Sequence, residues 1–224
     1  MSSNAARRGE IYLHRGNLTE AQNWYQQALK ETRLNGSPED LTHALGNLGN
    51  VHALLENYTD AETLYQEILE IQRSRQAHHA IGATLVNLGN LKADTEQPEQ
   101  AMAYYFEAID LLAPLEDERA LGILYNNLAL QELLVDQSEQ AITHFQVALD
   151  FHRTVGNEDG LAATYAQLGK AYFHQKQLRK AEACLNNATE HFIKLANKPG
   201  EAGALRARAH SGACRPRSRY RCLR

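Results

Sequence analysis

Five asparagines recur along this chain at equivalent positions: Asn47 and Asn50, then Asn87 and Asn90 forty residues on, then Asn127, with Asn126 beside it. Gln167 and Lys170 continue the same two columns. A carboxamide carries two N–H donors and a two-lone-pair acceptor, so it can accept from one peptide N–H and donate to a neighbouring C=O. The chemistry offered is recognition of polar main chain, and it is not catalysis. Asparagine costs a helix interior roughly 0.5 to 0.7 kcal/mol relative to alanine. Solubility alone could have been met by Gln, Glu or Lys, which cost less. Two uses remain open for the ladder: binding a peptide, or stitching the protein's own helices together.

Other reactive residue types fall into no working arrangement. His78 and His79 are adjacent but lack a third ligand for zinc. His144 and His152 fit the outer face of a helix, where a polar residue is expected. Cys184, Cys214 and Cys222 form neither a disulfide framework nor a Cys-x-x-Cys pair. No phosphate-binding glycine loop and no Ser/His/Asp or Cys/His set is present. The chain is therefore expected to be non-enzymatic, with no catalytic residue, no metal and no cofactor.

The elements that must hold the ladder announce themselves by period. Ala21, Ala61, Ala101, Ala141 and Ala181 stand forty residues apart, each followed four positions later by Tyr25, Tyr65, Tyr105, Phe145 or Leu185. Seven after each alanine comes Ala28, Ile68, Ala108, Ala148 or Ala188. A second pattern precedes each alanine, with Leu45, Leu85, Tyr125 or Tyr165, a leucine three later (Leu48, Leu88, Leu128, Leu168) and then Gly49, Gly89, Ala129 or Gly169. Spacing of i and i+3 places the large residues on one helix face, and the small residue lets a partner helix approach. Polar turns separate the two patterns, and Pro98 marks one helix start. Thr59-Asp60-Ala61-Glu62 has the form of a capping box at another. A fixed period in this range is the signature of stacked supersecondary units.

This pattern resembles the tetratricopeptide repeat (TPR) family, in which apolar-x-x-Leu-Gly in a first helix precedes Ala-x-x-x-aromatic-x-x-Ala in a second. The forty-residue unit and Asn47-Leu48-Gly49-Asn50 resemble a subgroup containing Leu-Gly-Asn (Pins-type) scaffolds, with kinesin light chain and bacterial TPR proteins nearby. The resemblance implies an all-α fold, a right-handed α-solenoid of five helix-turn-helix units (about 2–36, 42–76, 82–116, 122–156 and 162–196) with a partial sixth helix, spanning residues 1–205. The usual unit has 34 residues, and the six extra are expected to lengthen the second helix and its exit loop. First helices would line a concave surface, with Asn47, Asn50, Asn87, Asn90, Asn126, Asn127, Leu130, Gln167 and Lys170 as its peptide-binding residues. Neighbouring helices pack roughly 8 to 10 Å apart and an extended peptide advances about 3.3 Å per residue, so one rung would meet a ligand backbone about every third residue. Leu130, Leu133, Leu134 and Phe173 make the later part of that face more apolar.

Charge divides the chain. Residues 198–224 hold eight Lys and Arg against Glu201 alone, while the preceding 197 residues hold 15 bases against 26 acids. A body near -11 argues against nucleic-acid binding by the repeats, because phosphate contacts need clustered bases. The basic segment 206–224 breaks the repeat pattern, with Arg208 standing where the core leucine belongs. No apolar run reaches the ~18 to 20 residues of a membrane span, and the first 15 residues carry no secretory pattern. The expected setting is cytoplasmic and the expected partner a protein or peptide held by an adaptor. A self-assembling homo-oligomeric scaffold is the alternative.

Overall fold

The computed structural model describes residues 4–196 and 198–210, and these contain eleven α-helices and no strand. They are α1 (Asn4–His14), α2 (Leu18–Asn35), α3 (Pro38–Leu54), α4 (Tyr58–Ser74), α5 (His78–Asp94), α6 (Pro98–Leu112), α7 (Glu118–Leu134), α8 (Ser138–Thr154), α9 (Glu158–His174), α10 (Leu178–Lys194) and α11 (Lys198–His210). A short 3-10 turn, Ala113–Leu115, follows α6. The chain divides into two compact units, residues 1–111 and 112–224. In the first, α1 packs on α2, α3 on α4, and each pair packs on the next; in the second, α7 packs on α8, α9 on α10 and α10 on α11.

Equal helix lengths explain the period. Each of α3, α4, α5, α7, α8, α9 and α10 has 17 residues, and three residues connect most neighbours. The first residue past most helix caps takes a left-handed conformation, at Gly16, Glu56, Glu96, Asp136 and Lys176 inside the pairs and at Gln76, Gly156 and Ala196 between them; after α6 the left-handed residue is Glu116, the cap of the 3-10 turn. Inside the pairs the N–H two residues past the cap bonds back five residues, as in Asn57 N to His52 O at 2.9 Å and Gln97 N to Lys92 O at 2.9 Å. This is the Schellman closure, which satisfies carbonyls a helix end leaves orphaned. Apart from the stretch 113–117 after α6, which holds the 3-10 turn, exit turns are as short as internal ones, so the extra residues lie mainly within helices. The first helices open at 38, 78, 118 and 158, four residues ahead of the aligned unit starts.

One junction departs from the rule. Gly36 is extended, and Ser37 and Asp40 form a reciprocal capping box ahead of Pro38. The box expected at Thr59 does not form: Thr59 lies inside α4, whose cap is Asn57 with no side-chain bond. Pro98 does open α6.

The repeat pattern is the core pattern. All five period-marking alanines are wholly buried, as are the aromatic or leucine residues that follow them, at 3% exposure or less. The small residues of the first helices give those side chains room: a Cβ on Gly9, Gly49 or Gly89 would lie 2.7, 2.8 or 2.4 Å from a ring carbon of Tyr25, Tyr65 or Tyr105, and one on Gly169 2.8 Å from Leu185. His152, expected on an outer face, is instead 2% exposed, seated where Gly122 and Gly160 lack side chains.

Candidate functional site

Each of the first helices α3, α5, α7 and α9 carries one stripe that is exposed or only half-buried, at i, i+4, i+7 and i+11. On α3 it is His43, Asn47, Asn50 and Leu54; on α5, Ala83, Asn87, Asn90 and Asp94. In the second unit it is Ile123, Asn127, Leu130 and Leu134 on α7, and Ala163, Gln167, Lys170 and His174 on α9. Helical geometry puts these spacings on one face, so the ladder columns share exposed faces within each unit.

The amides on that face differ in what they are bonded to. Tyr65 donates its hydroxyl to Asn50 Oδ1 at 2.7 Å, and Tyr105 donates to Asn90 Oδ1 at 2.8 Å. These bonds tie the first helix of a pair to the second. Burial raises the pKa of both phenols, that of Tyr65 to about 12, and for Tyr105 the charge of Asp94 adds to it. Both hydroxyls therefore stay protonated and donate. Asn47 and Asn87 make no side-chain hydrogen bond to any described residue.

In the second unit Asn126 faces a neighbouring first helix: Thr164 donates to its Oδ1 at 3.0 Å, and its Nδ2 lies 3.5 Å from Asn127 Oδ1. Asn126 thus joins α7 to α9. Lys170 donates to Gln167 at 3.3 Å within α9. Leu130 and Leu133 are partly buried against the core around Phe145, whereas Leu134 is 67% exposed and Ile123 and Phe173 are 43% and 37% exposed. Sequence alone had no means to separate Leu133 from Leu134, which the helix turns to different sides.

A second column escaped the sequence reading. His52, Lys92, Glu132 and Tyr172 are equivalent and buried, each with a different polar contact. His52 lies 3.4 Å from Gln22 Nε2 and from Asp60 Oδ2; Lys92 pairs with Glu62 at 2.7 Å. Glu132 pairs with His144 at 2.8 Å, and Tyr172 accepts from Gln146 at 3.1 Å. Removing Glu62 from Lys92, or His144 from Glu132, would strand a buried charge, so these two pairs help fix which helix seats beside which. The available signal was a polar residue recurring four after each core leucine.

In the first unit α1, α2 and α3 enclose a cleft of about 740 Å³ that reaches Asn47. Its wall combines Glu10, Glu31 and Asp40 with Tyr25 and His43. Among the described residues no group of three or more His, Cys, Asp or Glu could hold a metal ion. No described helix is long and apolar enough to cross a membrane.

Comparison with known proteins supports the fold. The sequence matches the family model described as tetratricopeptide repeat over residues 2–74, 40–113 and 120–194. No curated protein sequence matches the chain. Among solved structures, BtubC (BKLC) from P. vanneervenii shares 20% identity at a TM-score of 0.72, covering 96% of this chain and 82% of that one. The nearly identical TPR-like repeats of a putative kinesin light chain from Podosopora anserina share 15% at 0.72, covering 87% and 95%. A Rap protein complexed with Competence and Sporulation Factor shares 12% at 0.65, covering 93% and 74%.

Proposed function

The chain belongs to the tetratricopeptide-repeat family, and on that premise we propose that it is a non-enzymatic adaptor holding an extended segment of a partner protein against the exposed faces of its first helices. One observation carries this reading. Asn47 and Asn87 occupy equivalent exposed-face positions on α3 and α5 and spend none of their hydrogen-bonding capacity on the described protein. Their neighbours Asn50 and Asn90 are committed to Tyr65 and Tyr105. An amide that costs the helix stability and returns no internal bond is suited to a ligand's main chain, which presents a donor and an acceptor at every residue. Asn50 and Asn90 hold the helix pairs that set the spacing of Asn47 and Asn87.

In the second unit, Ile123, Leu134 and Phe173 add apolar surface, and Gln167 and Lys170 add an amide and a cation, suited to a segment bearing an apolar anchor and an acid. The Rap complex supports the same reading by fold alone, since that protein is seen with a bound factor. The partner is a protein or peptide, and the acidic repeats disfavour nucleic acid.

The test is a footprint. Random 15-residue peptides displayed on phage and selected against the protein are added to ¹⁵N-labelled protein, and amide shifts are mapped. Shifts are expected at Asn47, Asn87 and their stripe neighbours; shifts confined to the second helices would contradict the proposal.

A further inference from the structure

A carboxamide has an accepting end and a donating end, and four amides of the exposed stripes have the accepting end engaged by a donor of the protein's own. Tyr65 donates to Asn50 Oδ1 at 2.7 Å and Tyr105 to Asn90 Oδ1 at 2.8 Å. Lys170 donates to Gln167 Oε1 at 3.3 Å, and Asn126 Nδ2 lies 3.5 Å from Asn127 Oδ1.

At Asn50 the orientation is fixed by a single proton. Tyr65 is 3% exposed, and its hydroxyl makes no other hydrogen bond to a described residue. Burial raises the pKa of that phenol to about 12, so it keeps its proton. A buried O–H without an acceptor costs free energy, and only the oxygen of a carboxamide accepts. Were Asn50 turned over, its Nδ2 would face the hydroxyl and strand the phenol proton. The ring is held in place by Gly49, where a Cβ would stand 2.8 Å from Tyr65 Cε1. Asn50 is exposed and makes no other side-chain bond to a described residue, so both N–H donors of its Nδ2 are left for a ligand. Asn47, one turn earlier on the same stripe, has neither end engaged. The two amides therefore offer different things: Asn47 can donate and accept, whereas Asn50 can only donate.

We propose that Tyr65 is a positioning residue that makes Asn50 a donor-only contact, and that Asn50 reads a main-chain carbonyl of the partner segment. The proposal rests on the adaptor reading and narrows it, because an acceptor must face Asn50 and an N–H there is rejected. A carbonyl suits the place better than a carboxylate, since the stripes of α3 and α5 carry Asp94 and no Lys or Arg.

Asn50→Asp separates orientation from contact: a carboxylate still accepts from Tyr65 but presents a second oxygen where the amide presented N–H. Its thermal midpoint is expected to match the wild type, whereas Asn50→Ala should lower it by about 2 to 4 °C. The phage-selected 15-residue peptide should bind Asn50→Asp about tenfold more weakly, even in about 1 M salt, where charge repulsion is screened. A scan replacing one backbone C=O of that peptide at a time by C=S, a weaker acceptor, should find a position where the wild type loses several-fold and Asn50→Ala loses nothing. At that position the loss should shrink in Tyr65→Phe, whose amide is free to turn. A midpoint in Asn50→Asp as low as that of Asn50→Ala, or an undiminished loss in Tyr65→Phe, would overturn the positioning role. Wild-type affinity in Asn50→Asp, or no C=S position whose effect vanishes in Asn50→Ala, would overturn the carbonyl contact. Each of these results would leave standing a loss of peptide binding in Asn47→Ala with Asn87→Ala, so failure of this contact and failure of the adaptor reading are distinguishable.

Discussion

Tyr105 on α6 donates its hydroxyl to Asn90 Oδ1 on α5 across 2.8 Å, and the pair is replaced as a pair elsewhere in the chain. In the fourth repeat the two positions read Phe145 and Leu130, and in the fifth Leu185 and Lys170. Where the hydroxyl disappears, so does its acceptor. The first repeat departs from this, keeping Tyr25 opposite Glu10.

That relationship can be measured in a double-mutant cycle. Tyr105→Phe and Asn90→Leu should each cost about 1 to 2 kcal/mol, since each leaves a polar partner without its bond. The double variant recreates the fourth repeat's arrangement and should recover much of the sum. Urea unfolding followed by circular dichroism checks it; strictly additive losses would show that the two side chains act independently.

Glycines separate sharply into two kinds. A Cβ on Gly89 would lie 2.4 Å from Tyr105 Cε1, whereas one on Gly46 would meet nothing nearer than Ile68 Cδ1 at 3.8 Å. Gly89→Ala is expected to destabilise by about 1 to 3 kcal/mol through overpacking. Gly46→Ala should stabilise by about 0.5 to 1 kcal/mol, because a glycine in mid-helix costs that much relative to alanine. Thermal midpoints of the two variants should therefore move in opposite directions.

Acid should loosen the second unit through His152. Burial lowers its proton affinity, and its Nδ1 lies 3.3 Å from Asn157 Nδ2, a contact that suits the neutral ring as acceptor. The unfolded histidine takes up a proton near its ordinary value of about 6.5 while the folded one resists, so the unfolded state binds more protons below that pH. Its contribution to stability is present above about pH 6.5 and is lost as pH falls through 6.5 and below. An NMR titration should place the His152 ring below the exposed histidines, and His152→Gln should flatten the fall in thermal midpoint between pH 7 and pH 5. An unaltered slope would contradict the assignment.

Much of this was readable from residue spacing. The forty-residue alanine period, the buried leucines and the glycines beneath the aromatic rings all follow from packing, which repeats whenever the backbone repeats. What spacing did not reveal was bonding state. Asn47 and Asn50 are three residues apart on one face, yet only Asn50 receives a tyrosine hydroxyl, because that outcome depends on where a side chain from another helix ends. Asn126 looked like a neighbour of the ladder and instead joins α7 to α9, since one residue along a helix is a rotation of about 100°. His152 read as a surface residue because the space that admits it is made by two glycines, Gly122 on α7 and Gly160 on α9.

The most direct test of the adaptor account compares affinity with stability in two double variants, using a display-selected peptide that binds the wild-type chain. Asn47→Ala with Asn87→Ala should weaken that peptide more than tenfold, about 1.4 kcal/mol or more, while leaving the thermal midpoint nearly unchanged. Asn50→Ala with Asn90→Ala should lower the midpoint clearly, since it orphans two buried tyrosine hydroxyls. Unchanged affinity in the Asn47/Asn87 variant, or a loss matched by an equal loss of stability, would contradict the account.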